Sequence, residues 1–160
     1  MTSFGDLYGR YSADVFRFAL YLSGSRADAE DISSETFVRA WTAPEPIRMA
    51  TVKGYLFTIA RNLFLQGRRK AAHHVELSED LPDPGVGPHV RAERDSELAA
   101  VLAALQKLPE VDRAALLMRA QDELPYEEIA RALGISLASV KVKIHRARLA
   151  LARIREQSRA

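Results

Sequence analysis

The stretch Tyr126–Arg148, which reads YEEIARALGISLASVKVKIHRAR, decides the fold of its half of the chain. Apolar side chains recur there at i, i+3, i+4 and i+7, the spacing of one helix face. They are Tyr126, Ile129, Ala130 and Leu133. Gly134 follows, and glycine readily adopts the left-handed conformation that ends many helices. Ser136 can then cap another helix. The stretch therefore predicts a short helix, a tight turn and a second helix.

The second helix has an apolar face and an outward face. Its apolar stripe consists of Val140, Ile144, Ala147, Leu151 and Ile154. At about 100° per residue, the residues roughly opposite are Ala138, Val142, His145, Arg146 and Leu149. Three basic residues flank them, namely Lys141, Lys143 and Arg148. This pattern is typical of a helix-turn-helix whose second helix enters a DNA major groove.

Two interpretations of this segment are open. An αα-corner that binds nothing would have the same apolar pattern. The charge favours DNA, because residues 129–160 contain eight Lys or Arg and only one acidic residue, Glu156, and a basic face is the electrostatic footprint of nucleic-acid binding. The predicted DNA contacts are Ser136, Ser139, Lys141, Val142, Lys143, His145, Arg146 and Arg148.

The composition suits one ordinary domain or two small ones, since the chain has 160 residues of which 48% are hydrophobic. The net charge is +2, but it is unevenly distributed. Residues 49–72 include five Lys or Arg and no acid, whereas residues 75–97 include seven acids and two Arg. Two basic blocks thus flank an acidic segment, which predicts two contact sites for a polyanion.

A cluster of proline and glycine, LPDPGVGP at Leu81–Pro88, divides the chain. No regular helix or strand is expected to cross it. We predict an acidic, flexible linker over residues 71–93, which joins small helical domains at 1–70 and 94–160.

Helical patterns fill both sides of this linker. A first helix should end at Gly24, and Ser25–Asp28 resembles a capping box that begins a second. A third should end in the basic run Arg68–Lys70. Beyond the linker, we predict helices over Arg94–Leu108 and from Pro109 onward. Because no strand pattern is convincing, the sequence predicts an all-α fold.

Residue types argue against several other classes. Cysteine is absent, so no disulfide framework exists and a reducing compartment such as the cytoplasm is expected. No signal peptide or apolar run long enough to cross a membrane is present. The four histidines lack metal-binding spacing, and no nucleophile or phosphate-binding motif occurs. We therefore expect no catalytic residue, no metal and no cofactor.

The segment Val52–Lys70 mixes aromatic and basic side chains and also has two interpretations. Aromatic rings can stack on unpaired bases while the cations hold phosphates. Alternatively, Tyr55, Phe57 and Phe64 belong to the core and the charges are only solvated. The segment alone does not decide between them.

Three segments resemble an extracytoplasmic-function (group IV) sigma factor of bacterial RNA polymerase. DAEDISSETFVRAW, residues 28–41, is similar to region 2.2 of that family. GYLFTIARNLFLQGRRK, residues 54–70, is similar to regions 2.3 and 2.4. Residues 108–151, from LPEVDRAALL to HRARLAL, are similar to region 4. Together they span nearly the whole chain, in the family's order and at its separation.

The resemblance implies a non-catalytic initiation subunit that brings RNA polymerase core to promoter DNA. Residues implied to bind the core are Asp28, Glu30, Asp31, Glu35 and Arg39. The loop Ile47–Val52 and the following helix would open the −10 element. Residues implied to bind it are Lys53, Tyr55, Arg61, Asn62, Arg68 and Arg69. The helix from Ser136 would recognise the −35 element. The acidic linker would pass near the active site and the RNA exit path, and an anti-sigma factor would be a further partner.

Three residues depart from the family pattern. Gln66 stands where an Asp is common, and Pro125 replaces a Ser or Thr cap, although proline can occupy a first helical position. Val142 replaces a small polar residue and can contact only a thymine methyl group or exclude a partner. Two rival functions stay open: a helix-turn-helix regulator that acts without polymerase, and a nucleic-acid enzyme such as a recombinase.

Overall fold

Seven α-helices, and no strand, form the residues that the computed structural model describes, which are 3–43, 49–77 and 93–159. In chain order they are α1 (Phe4–Ser23), α2 (Arg26–Thr42), α3 (Val52–Leu77), α4 (Glu93–Gln106), α5 (Glu110–Ala120), α6 (Tyr126–Leu133) and α7 (Leu137–Arg159). The predicted all-α fold is confirmed for these residues. The proline and glycine cluster of the predicted linker lies outside them, as do residues 47 and 48 of the predicted DNA-opening loop.

Local signals set several helix ends. Gly24 (φ 74°) and Gly134 (φ 67°) end α1 and α6 in the left-handed conformation, as predicted. The hydroxyl groups of Ser25 and Ser136 each accept a hydrogen bond from the N–H three residues later, at 3.2 and 3.1 Å. They therefore cap α2 and α7. Ser3 forms a reciprocal capping box at the start of α1, which the pattern analysis did not predict.

The predicted end of α3 was wrong. This helix continues to Leu77, seven residues beyond Lys70. Ala71 and Ala72 favour helix, and the next proline after Lys70 is Pro82. The predicted linker over 71–93 therefore begins too early.

Smaller differences occur beside the prolines of the C-terminal half. α4 ends at Gln106 rather than Leu108, because the chain tightens into hydrogen bonds to carbonyls three residues back. Pro109 and Pro125 occupy the N-cap positions of α5 and α6 rather than their first helical positions.

The N-terminal half of the chain (α1–α3) and the C-terminal half (α4–α7) share one hydrophobic core. α1 packs on α4 and α5, and α3 packs on α6, in addition to the contacts within each half. The rings of Phe18 in α1 and Phe57 in α3 stack with centroids 4.5 Å apart. Met118 of α5 and Ile129 of α6 are fully buried in the same core. The sequence patterns did not predict this direct contact between the halves.

Candidate nucleic-acid interface

α7 has the two faces that its sequence predicts. Its buried residues are Val140, Ile144 and Ala147. The residues exposed opposite them are Ala138, Val142, His145, Arg146 and Leu149. Lys141 and Arg148 are exposed at the edges, whereas Lys143 is half-buried. Ser136 is exposed as the cap, and Ser139 is half-buried. The helix is thus anchored on one side and presents a basic outward surface, the arrangement that a recognition helix needs.

Arg146 is exposed but held in place. Its Nε and Nη2 donate to the two carboxylate oxygens of Asp112 on α5, at 2.7 and 2.9 Å. Only 1% of the Asp112 side chain is exposed, and Lys143 Nζ lies 4.0 Å from it. The hydrogen bonds and charge of Asp112 raise the pKa of the Arg146 guanidinium. Asp112 was not among the predicted site residues.

The aromatic residues of α3 divide between the core and the surface. Phe57 and Phe64 are buried, so the core interpretation is correct for these two rings. Tyr55 is half-buried. The guanidinium of Arg68 lies 5.5 Å from the ring centre of Phe64. The exposed members of the predicted −10 set are Asn62, Arg68 and Arg69.

The other two cations of that set pair with the opposite half of the chain. Arg61 donates to both carboxylate oxygens of Glu110 on α5, at 2.8 and 2.7 Å. Lys53 Nζ lies 3.3 Å from Asp14 of α1 and 3.5 Å from Asp122, in the turn between α5 and α6. The structure therefore places Arg61 and Lys53 in the contact between the halves.

Asp122 is a buried charge in this contact. Its side chain is 1% exposed, and Arg17 Nη2 lies 3.7 Å away. Burial raises the pKa of the Asp122 carboxyl, and the nearby Lys53 and Arg17 partly offset that rise.

Glu128 of α6 joins the start of α3. Its side chain is buried, and its Oε1 accepts hydrogen bonds from the N–H of Thr51 at 2.9 Å and from the Thr51 hydroxyl at 2.6 Å. The carboxylate lies directly against Gly54, where a Cβ atom would overlap it. This close approach explains a glycine inside the first turn of α3.

Arg113 of α5 joins the C-terminal ends of two other helices, α1 and α4. Its guanidinium donates to the carbonyl of Leu22 at 2.6 Å, of Leu105 at 3.0 Å and of Leu108 at 3.1 Å. These carbonyls lie at or just beyond the C-terminal ends of α1 and α4, where helix carbonyls lack their usual partners four residues later. Burial lowers the pKa of Arg113, and its neutralisation at working pH is not expected.

The acidic side of α2 is solvent-exposed. The predicted core-binding residues are all exposed, namely Asp28, Glu30, Asp31, Glu35 and Arg39. Arg39 Nε donates to Glu35 at 3.0 Å. A groove of about 350 Å³ runs between α2 and α3, and it is lined by Asp28, Asp31, Ile32, Glu35, Leu63, Phe64, Gly67, Arg68 and Ala71. α2 therefore presents a negative surface beside a partly apolar groove.

Metal-binding clusters and membrane-spanning helices are both absent from the described part of the chain. Residues 3–43, 49–77 and 93–159 contain no cluster of three or more His, Asp or Glu that could hold a metal ion. Among the helices described, each is too short or too polar to cross a lipid bilayer.

Both halves match models of known families. Residues 7–74 match sigma-70 region 2, and residues 98–151 match sigma-70 region 4. The first match covers the extended α3 almost to its end.

Individual proteins are similar over most of the chain. The ECF RNA polymerase sigma factor SigE of Mycolicibacterium smegmatis is 38% identical over 92% of this chain, which spans 60% of that protein's length. SigM of Bacillus subtilis, another ECF sigma factor, is 34% identical over 89% of both chains. The sigma factor RpoE of Bartonella quintana, solved in complex with the anti-sigma factor NepR, superimposes with a TM-score of 0.79 at 27% identity, covering 93% of this chain and 94% of that one. These similarities show that the chain belongs to the ECF RNA polymerase sigma factors.

Proposed function

We propose that this chain brings bacterial RNA polymerase core to promoters, with α2 on the polymerase and α3 and α7 on the DNA, and performs no chemistry itself. One observation carries the proposal: a single chain joins an exposed acidic helix to a helix-turn-helix with a basic outward face. A regulator that acted without polymerase would need only the second of these surfaces.

The polymerase contact would use the acidic face of α2. Its carboxylates, at Asp28, Glu30, Asp31 and Glu35, are exposed in the free chain. Charge complementarity would steer α2 to a basic surface of the core. The adjacent groove between α2 and α3 has apolar side chains in its lining. The polymerase contact would therefore combine electrostatic attraction with burial of apolar surface.

The −35 contact would use the outer face of α7. Lys141 and Arg148 at its edges would hold phosphates, whereas Val142, His145 and Arg146 would face the bases. Val142 is 59% exposed, so its methyl groups are available to a thymine methyl group and exclude polar contacts at that position.

The −10 contact would use α3. Asn62, Arg68 and Arg69 are exposed already. Arg61 and Lys53 are paired with Glu110 and Asp122 of the C-terminal half. For Arg61 to reach a DNA strand, the C-terminal half has to move away from α3. Lys53 would also have to leave Asp14 of α1, 3.3 Å away.

A protein partner would stabilise the closed arrangement of the two halves. The similar RpoE structure was solved with its anti-sigma factor bound, and this chain superimposes on it with a TM-score of 0.79 over 93% of its length. An anti-sigma factor that keeps the halves together would hold Arg61 and Lys53 away from DNA. We expect the chain to act in the cytoplasm, without a cofactor.

Run-off transcription on fragmented genomic DNA tests the proposed function. Core polymerase with the chain should give a limited set of defined transcripts that core alone does not give. The matched control is the chain with Asp31→Lys and Glu35→Lys, which should lose those transcripts while it keeps its fold. Sequence-specific DNA binding by the chain without any core-dependent transcript would contradict the proposal in favour of a plain regulator.

A further inference from the structure

A buried carboxylate holds the arginine on the outer face of α7. The Arg146 side chain is 56% exposed, whereas its partner Asp112 is 1% exposed. The pair joins α5 to α7 within the C-terminal half, so it does not depend on contact between the halves. Asp112 gains a cationic partner for its buried carboxylate from this pair. The two hydrogen bonds of the pair also fix the orientation of the Arg146 guanidinium.

Arg146 keeps hydrogen-bond donors that Asp112 does not use. A guanidinium has five N–H groups in one plane. Asp112 accepts from Nε and Nη2, which form one edge. Both N–H groups of Nη1 and one of Nη2 remain on the other edge. Two parallel donors of this kind match the O6 and N7 acceptors of guanine in the major groove.

The Asp112–Arg146 pair also has less net positive charge than a single cation of α7 has. The Asp112 carboxylate neutralises Arg146, so the pair attracts phosphates less than Lys141 or Arg148 does. Arg146 also has fewer rotamers to lose when DNA binds, because its two hydrogen bonds already restrict it. These properties favour base recognition over general attraction to the backbone.

We propose that Asp112 is a positioning residue for −35 recognition, which aims Arg146 at a guanine although Asp112 itself does not contact DNA. The inference rests on the proposed function, in which α7 binds the −35 element. It predicts that removal of the carboxylate lowers base preference without lowering general DNA affinity, because the Arg146 charge is then no longer neutralised.

The test uses the full chain assembled with core polymerase and a library of promoters randomised over the −35 element. Asp112→Asn keeps the size of the side chain, and Arg146→Ala removes the guanidinium. Each variant should lose about tenfold in preference, the effect of one two-bond base contact, at the same positions. The double variant should lose no more than Arg146→Ala. The salt dependence of binding should be at least as steep for Asp112→Asn as for wild type, because the Arg146 charge is then uncompensated. Glu97→Gln, which removes an exposed carboxylate of α4 in the same half of the chain, should keep the wild-type preference.

A measurement on the unaltered chain guards against misfolding of the variant. In NMR spectra, the Nε–H of Arg146 should exchange with solvent more slowly than that of Arg148, because it is bonded to Asp112. Equal exchange rates would overturn the inference. So would an Asp112→Asn variant that keeps the wild-type preference while Arg146→Ala loses it, and the proposed function would then still stand. A wild-type chain that selects no promoter with core polymerase would overturn the proposed function itself.

Discussion

Arg61 of α3 and Glu110 of α5 form a two-bond ion pair across the boundary between the halves of the chain. Each side chain is only 11% exposed. Since Arg61 is also proposed to hold the −10 strand, the closed arrangement and the DNA compete for the same guanidinium. The apparent affinity for DNA is then the intrinsic affinity multiplied by the fraction of molecules in which the guanidinium is free.

Glu110→Gln should therefore increase the affinity of the free chain for a single-stranded −10 oligonucleotide, by several-fold, because Arg61 loses its charged partner. Fluorescence anisotropy at low salt measures this affinity. Glu127→Gln is the matched control, since Glu127 is an exposed residue of α6 and its loss changes the net charge equally. Equal gains in the two variants would show that only net charge matters.

Gly54→Ala should destabilise the fold, by about 1–3 kcal/mol, because the added methyl group displaces the Glu128 carboxylate from Thr51 and leaves buried polar groups unpaired. Denaturant unfolding measures this change. Gly67→Ala is the control in the same helix, since a Cβ at Gly67 meets no described atom within 4 Å. It should stabilise by about 0.5–1 kcal/mol, as alanine does in a helix interior.

The Glu128→Ala background should reverse the sign of Gly54→Ala. With the carboxylate gone, the methyl group has room, and the usual preference of a helix for alanine over glycine remains. If Gly54→Ala is equally destabilising with and without Glu128, then the close contact is not the reason for the glycine.

The fold was predictable where local signals decide, and less so where packing does. Gly24, Gly134 and Ser136 set helix ends that depend on backbone preference alone, so their roles followed from the sequence. The end of α3 was missed because the chain past Lys70 has no helix-breaking residue before Pro82. Charge and polarity had suggested a linker there, but neither prevents a helix from continuing.

The contacts of the predicted site residues were not predictable. The outward face of α7 followed from its 3.6-residue period. Asp112 and Glu110 could not be linked to Arg146 and Arg61, because each pair joins helices whose relative position depends on tertiary packing. Glu110 and Asp112 lie beside the apolar residues of α5 in the sequence, which indicates that a carboxylate there needs a cationic partner. The sequence does not indicate which cation that partner is.

Asp122→Asn should make the chain more stable than wild type near neutral pH. The difference in the free energy of unfolding between the two proteins should be smaller at acidic pH. Burial raises the Asp122 pKa above its ordinary value of 3.8, so the folded chain holds this proton more tightly than the unfolded chain. The stability that the protonated Asp122 carboxyl contributes is fully present below pH 3.8, and it is lost as the pH rises through the pKa of the folded state. Asparagine cannot ionise and avoids that loss. Thermal or denaturant unfolding of both proteins from about pH 4 to about pH 8 measures the difference. A difference that is constant, or that shrinks as pH rises, would contradict the burial argument.

Charge reversal on α2 should weaken binding to polymerase core at least about tenfold, because like charges would then meet across the interface. Asp31→Lys with Glu35→Lys is the test variant, and both residues are exposed. Glu97→Lys with Glu127→Lys is the control, because it changes the net charge equally on exposed residues outside α2. Titration of labelled core measures both affinities. Equal losses in the two variants would mean that α2 is not the contact.

Selection of genomic fragments by the chain, with and without core polymerase, tests whether α3 and α7 recognise two promoter elements as part of a polymerase complex. Two separated sequence elements should be enriched together only when core is present, because α7 recognises one and α3 holds the melted strand of the other. Permanganate should then modify thymines in the downstream element alone. Enrichment of a single element, equally strong without core, would instead identify the chain as a regulator that binds DNA without polymerase.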